Sequence, residues 1–286
     1  MRILITGGFG YIGGRLAQFL AKNPNYEIFL GSRKVLYSPI WLTRVGVIQT
    51  VWNSQLELEK ICEGIDVIIH LAGMNAQDCA VNPAAAFEIN AVSTAHLMQA
   101  AISRGVHRFI YLSTAHVYCN TLVGKITEEC CPKNSHPYAA SHRAGEDVVI
   151  AAHQCGDIEC VVIRLSNSFG APAPKKANCW MLLVNDLCRQ AVATGKMVLR
   201  SSGLQHRDFV SLTRVCGAIE HLLLVSSASL NDIIFNVGGA WSPTIYEMTQ
   251  KISDRVHIVT GTRPDISHNK SDKSDKSDKS DKSDKS

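Results

Sequence analysis

Long apolar runs are missing from this 286-residue chain: none approaches the roughly 20 residues that a membrane-spanning helix needs. No secretory leader is expected either, because Met1 leads at once into a strand and a glycine loop, "RILITGGFG", rather than a charged stretch, an apolar core and a cleavage site. Charge is sparse, at 19% of residues with a formal net charge of +4, and no helix or loop gathers Lys and Arg into a stripe. Nucleic acid is therefore disfavoured as a partner. Metal-type spacing is absent as well. The 10 cysteines form no CxxC pair and are scattered through apolar segments such as "KICEG" and "IECVVIR". They read as reduced core thiols of a cytoplasmic protein, with no metal site, and only the adjacent loop residues Cys130 and Cys131 are expected to be exposed.

What is present is a composition of 46% hydrophobic residues, enough for a large α/β domain. Continuous apolar runs at 2–6, 27–31, 47–51, 66–72, 108–113 and 160–165 predict strands covered on both faces, as in a parallel sheet. Helical patterns near 11–22, 55–63, 83–103 and 138–154 alternate with them, which predicts a doubly wound, Rossmann-type fold. Beyond Arg164 the pattern loosens into "SNSFGAPAPKKANCW", helices at about 178–195 and 212–226, and the short runs "KMVLRSSG" and "IIFNVGG". The predicted organisation is a dinucleotide-binding core over 1–165, a small lobe over 166–266 interleaved with the last sheet elements, and a tail over 267–286. From Lys270 onwards that tail is a Lys-Ser-Asp repeat with no apolar side chain, and disorder is expected of it.

Gly7, Gly10 and Gly13 follow the first strand and open an amphipathic helix. Glycine there permits a tight turn and close approach of backbone N–H groups to a pyrophosphate at the helix N-terminus. The strand–turn–helix setting makes the motif specific for a dinucleotide.

The spacing TGGxGxIG (Gly7, Gly8, Gly10, Ile12, Gly13), "DVIIHLAG", "INAVSTAHLMQAA", "FIYLSTAHVY", "PYAAS", "IRLSNSFG", "RDFV" and "FNVGG" occur in the order found in extended short-chain dehydrogenases/reductases. The chain resembles the NAD-dependent epimerase/dehydratase family over residues 1 to about 262. The resemblance implies a nucleotide-sugar substrate and cofactor contacts at Gly7, Gly10, Tyr11, Ile12, Gly13, Ala72 and Gly73. It implies Thr114 as the hydroxyl that hydrogen-bonds the reacting sugar oxygen, and Tyr138 as the group that exchanges a proton with it. Asn167 resembles the asparagine that contacts the sugar nucleotide, and Arg207 the arginine that grips its diphosphate. A homodimer is usual in the family, as is a further helix after "RPDIS", where the Lys-Ser-Asp repeat stands instead.

Three departures matter. NAD sites place Asp or Glu about 20 residues beyond the glycine loop, whereas the second strand here ends Gly31-Ser32-Arg33-Lys34. Two cations and no carboxylate favour the 2′-phosphate of NADP over NAD. The residue four positions after Tyr138 is normally lysine and here is His142, expected to hold the nicotinamide ribose and supply partial charge; Arg143 points about 100° away around the helix. In family members that dehydrate, an Asp-Glu pair follows the threonine, but Ala115 and His116 stand there. Reduction of a 4-keto sugar and epimerisation at C4 are both left open, beside a catalytically impaired binder of the dinucleotide or sugar nucleotide.

Overall fold

The computed structural model describes residues 1–34, 37–119, 122–226 and 229–268. Ser267 and His268, assigned from sequence to the tail, complete a strand; the rest of the tail, with its expected disorder, lies outside the described residues.

Alternating strands and helices build the first unit, Met1–Cys179 with Asp208–Ala240. Its strands are β1 (Arg2–Thr6), β2 (Glu27–Ser32), β3 (Gly46–Gln49), β4 (Val67–His70), β5 (Arg108–Thr114), β6 (Glu159–Leu165) and β10 (Ile234–Val237). They form one sheet in the order β10-β6-β5-β4-β1-β2-β3, with every neighbouring pair parallel. The order reverses between β1 and β4, so the carboxyl ends of these two strands form the switch point where open α/β sheets bind ligands. This is the doubly wound, Rossmann-type fold expected from the alternating pattern.

Period-2 alternation divides each strand between two cores. Ile3 and Ile5 face one side with Leu16 and Leu20 of α1 (Tyr11–Leu20) and Val215 and Ile219 of α8 (Leu212–Leu224). Leu4, Ile68, Phe109 and Tyr111 face the other. There they meet Leu58 of α2 (Gln55–Cys62), Leu97 of α5 (Ser93–Ser103) and Val149 of α6 (Pro137–Gln154). The single helix expected over 83–103 is broken into three pieces. These are α4 (Pro83–Phe87), a π-helical turn (Glu88–Val92) and α5, preceded by α3 (Ala76–Val81). Asn75 and Asn82 cap the short helices, their side chains accepting the N–H of Asp78 and Ala85.

One buried ion pair locks α6 to the sheet. Arg164 Nη2 donates to Glu146 Oε2 at 2.7 Å, and Ser113 Oγ donates to Glu146 Oε1 at 2.5 Å. Glu146→Ala would strand the Arg164 guanidinium in the core, so we expect a loss of roughly 3–5 kcal/mol in urea denaturation, the cost of breaking a buried pair from one side.

The second unit comprises Trp180–Arg207 and Trp241–Ser286. In its described residues α7 (Leu183–Thr194) packs on α9 (Ile245–Thr260). Strand β8 (Lys196–Leu199) pairs in parallel with β11 (Asp265–His268). Residues 208–240 group with the first unit: β10 joins the sheet edge and α8 covers its face. Helix α9 is absent from the sequence prediction although its capping box, Thr244 with Glu247, is legible in the residues.

All ten cysteines are unbridged. Five are buried; Cys131 is exposed as expected, Cys130 is only half-buried, and Cys155 and Cys188 are exposed against expectation. Among the described residues no helix is long and apolar enough to cross a membrane.

Candidate active site

The glycine loop lies at the switch point, and its tightness is backbone against backbone. Gly7 has φ +68°, and a Cβ there would come 2.9 Å from Ala72 N; a Cβ on Gly13 would come 2.3 Å from Gly7 O. Gly10 is the N-cap of α1, donating its N–H to Gly7 O at 2.8 Å. No side chain caps this helix and no acidic residue occupies its first turn. The uncapped first-turn N–H groups and the helix dipole suit the negative charge of a pyrophosphate. Tyr11 and Ile12 begin the helix half-buried.

The next strip along the carboxyl edge is Ala72–Gly73, beyond β4. Thr6 Oγ1 accepts the N–H groups of Leu71 and Ala72, each at 3.2 Å, which ties the strip to the end of β1. Gly73 then faces α6: a Cβ there would lie 3.2 Å from Asn90 Oδ1, 3.6 Å from His142 Cε1 and 3.9 Å from His142 Nε2. Asn90 is buried and used structurally. Its Oδ1 accepts Met74 N–H at 2.8 Å, and its Nδ2 donates to Ser141 Oγ at 2.9 Å.

Helix α6 starts at Pro137, with His136 as N-cap accepting Tyr138 N–H through Nδ1 at 3.2 Å. Proline at the first helical position loses nothing, since its missing donor would be unpaired there. One turn separates Tyr138 from His142, and the two rings meet edge-on with centroids 4.7 Å apart. Thr114, the last residue of β5, is buried. It accepts His116 N–H at 3.2 Å, capping the short 3-10 turn Ala115–Val117, and its hydroxyl lies near enough to Tyr138 to favour the ionised phenol. Burial raises the Tyr138 phenol above the ordinary tyrosine range, and the Thr114 hydroxyl draws it back only in part.

His142 departs from the sequence prediction. Burial lowers it to about 4, so at neutral pH the ring is uncharged and supplies no partial positive charge to Tyr138. The cation next door does not substitute for it, because Arg143 Nε is paired with Asp147 at 3.0 Å. What His142 does have is a partner that the sequence does not disclose: Tyr111 Oη, 3.1 Å from its Nδ1. Room for this contact comes from Gly145, where a Cβ would fall 2.3 Å from Tyr111 Oη. A glycine mid-helix, three residues after the histidine, was the available sign.

The remaining predicted residues are spread out. Arg33 and Lys34 are exposed just past the end of β2, and Lys34 N–H bonds Ser32 Oγ at 3.2 Å. Register places Gly31 opposite Thr6, so β2 ends beside the glycine loop. Asn167 heads β7 (Asn167–Phe169), which pairs with β9 (Phe209–Ser211). Its Nδ2 donates to Asp208 O at 2.9 Å. Arg207 belongs to the second unit, where its backbone N–H bonds Pro243 O at 3.0 Å.

Known proteins show the same architecture. The chain is 27% identical over 267 residues to a dTDP-glucose 4,6-dehydratase of Streptomyces niveus, covering 88% of this chain and 76% of that one. It is 27% identical over 265 residues to the human dTDP-D-glucose 4,6-dehydratase, covering 88% and 73%. A solved UDP-glucuronic acid 4-epimerase from Bacillus cereus, in complex with UDP-glucuronic acid and NAD, superposes with a TM-score of 0.78 at 22% identity, covering 95% and 87%. The model of the NAD dependent epimerase/dehydratase family matches residues 3–238. That match runs from β1 through β10 and takes in the whole parallel sheet, and the chain therefore belongs to the NAD-dependent epimerase/dehydratase family.

Proposed function

We propose that the protein transfers hydride between a nicotinamide dinucleotide and C4 of a nucleotide sugar, reducing a 4-keto sugar or epimerising the C4 hydroxyl. The observation that carries this reading is the continuous strip from Gly7 through Ala72–Gly73 and His142 to Tyr138, with Thr114 acting on its phenol. It offers a pyrophosphate cradle at one end and a proton-transferring phenol at the other. The bound dinucleotide supplies the hydride acceptor or donor. Tyr138 takes the O4 proton as the C4–H hydride leaves and returns it in the reverse step, while Thr114 holds the same oxygen. Asn167 contacts the sugar nucleotide and Arg207 its diphosphate.

The curated relatives named above are 4,6-dehydratases, but loss of water across C5 and C6 needs one group to take the C5 proton and another to protonate the leaving hydroxyl. Ala115 can do neither. The chemistry supported here is therefore oxidation or reduction at C4 without elimination. An NADPH absorbance assay with a 4-keto nucleotide sugar separates the outcomes. Stoichiometric consumption marks a reductase, and isomer formation without net consumption marks an epimerase. Neither, with cofactor binding retained, marks a protein that only binds.

For the cofactor we infer NADP(H). The reading rests on two exposed cations and no carboxylate at the end of β2, where a guanidinium can pair with a 2′-phosphate bidentately. NADPH is expected to bind at least about tenfold more tightly than NADH, the scale of one charge-assisted hydrogen bond. Arg33→Ala should erase most of that difference. Equal dissociation constants for the two, unmoved by the substitution, refute it.

A further inference from the structure

A chain of buried hydrogen bonds crosses the sheet's carboxyl edge to His142, and proton counting along it gives the ring a direction. Thr6 Oγ1 accepts two backbone N–H groups, which uses both acceptor positions of a hydroxyl. Its own proton therefore goes to His70 Nδ1, 2.6 Å away. His70 is neutral, lowered to about 3 by burial and by His142, so its one ring proton sits on Nε2 and is donated to Thr94 Oγ1 at 3.0 Å. Thr94 in turn donates to Asn90 O at 2.9 Å.

Tyr111 stands at the end of this chain. Its Oη lies 3.2 Å from Asn90 O, 3.5 Å from His142 O and 3.1 Å from His142 Nδ1. Carbonyl oxygens only accept. If the tyrosine proton pointed at Nδ1, both carbonyl contacts would be lost. If it points at a carbonyl and Nδ1–H donates to Oη, the phenol is satisfied as donor and as acceptor. Buried polar groups settle in the arrangement that leaves fewest bonds unmade.

We propose that Tyr111 is a positioning residue that holds His142 in the Nδ1–H tautomer, leaving Nε2 beside Gly73 as a hydrogen-bond acceptor for a ligand hydroxyl. A lysine at this position could only donate, so the histidine reverses the direction of the hydrogen bond. The group it fits is a sugar hydroxyl free to donate. That this hydroxyl belongs to the nicotinamide ribose rests on the function proposed above; the tautomer does not.

The test is the two-bond ¹⁵N–¹H spectrum of the histidine rings in the intact protein, with the His142 signals assigned by their loss in His142→Gln. Wild type should show a protonated Nδ1 and a bare Nε2. Tyr111→Phe should populate the Nε2–H form and weaken NADPH binding about tenfold, the effect of one hydrogen bond, with the far-ultraviolet circular dichroism unchanged. Protonation of Nε2 in wild type overturns the proposal, and needs no variant to fold. An unshifted tautomer in Tyr111→Phe overturns the positioning role. An unchanged NADPH dissociation constant overturns the assignment of Nε2 to a ligand hydroxyl. A wild-type Nδ1–H signal in a protein that turns over no nucleotide sugar would leave the tautomer standing and remove the proposed function instead.

Discussion

Tyr138→Phe is expected to lower kcat by a factor of about 10²–10⁴, the range contributed by a positioned proton-transfer group, while the dissociation constant of the dinucleotide stays within about twofold. The substitution keeps the ring that packs edge-on against His142 and removes only the phenolic oxygen, on which Thr114 acts. Binding depends on the glycine loop and the Ala72–Gly73 strip, neither of which touches that oxygen in the contacts described. Steady-state kinetics beside equilibrium titration of the cofactor makes the comparison. A variant that keeps more than a tenth of wild-type turnover would move the proton transfer to another group.

His142→Lys is expected to act in the opposite direction, raising turnover. A unit charge about 5 Å from the phenol, at an effective dielectric constant near 20, favours the tyrosinate by about 3 kcal/mol, or about two pKa units. Lysine at a buried position gives up part of that advantage to desolvation, so a gain of roughly 10- to 100-fold at pH 7 is the expected result. The pH profile carries the sign. In the wild type His142 is neutral above about 4, so its titration produces no loss of rate between pH 6 and 8. Under the proposed mechanism, oxidation of the C4 alcohol should instead quicken with rising pH, because Tyr138 would work as tyrosinate and burial has raised its pKa. In the lysine variant the same rise should move to lower pH. A wild-type rate that falls through pH 6–7 would show that His142 titrates there and does supply charge. A lysine variant with unchanged rate and cofactor binding would place the limit elsewhere, in Thr114 or in the substrate lobe.

The two variants probe a site only partly written in the linear chain. Thr114 and Tyr138 are legible as candidates through the resemblance of "FIYLSTAHVY" and "PYAAS" to the family's motifs. The glycine loop is legible from its place between an apolar strand and an amphipathic helix. The neutral state of His142 is not, since a reference pKa near 6.5 leaves both charge states open. Burial under Tyr111 and Asn90, 31 and 52 positions earlier in the chain, decides it. Tyr111 itself reads as one more residue of an apolar strand, and its hydroxyl acquires a purpose only when Gly145 brings α6 against it.

Pattern by itself determined the strands of the core, the parallel class and the glycine turn, because hydrophobic periodicity and turn chemistry are properties of neighbours along the chain. Only the tertiary structure decided the strand order with its switch point, the return of 208–240 to the sheet, the division of 83–103 around a π-turn, and the uncharged, tyrosine-bound histidine. Each of these depends on burial or on a hydrogen bond between residues far apart in sequence, and local propensity carries no information about such partners.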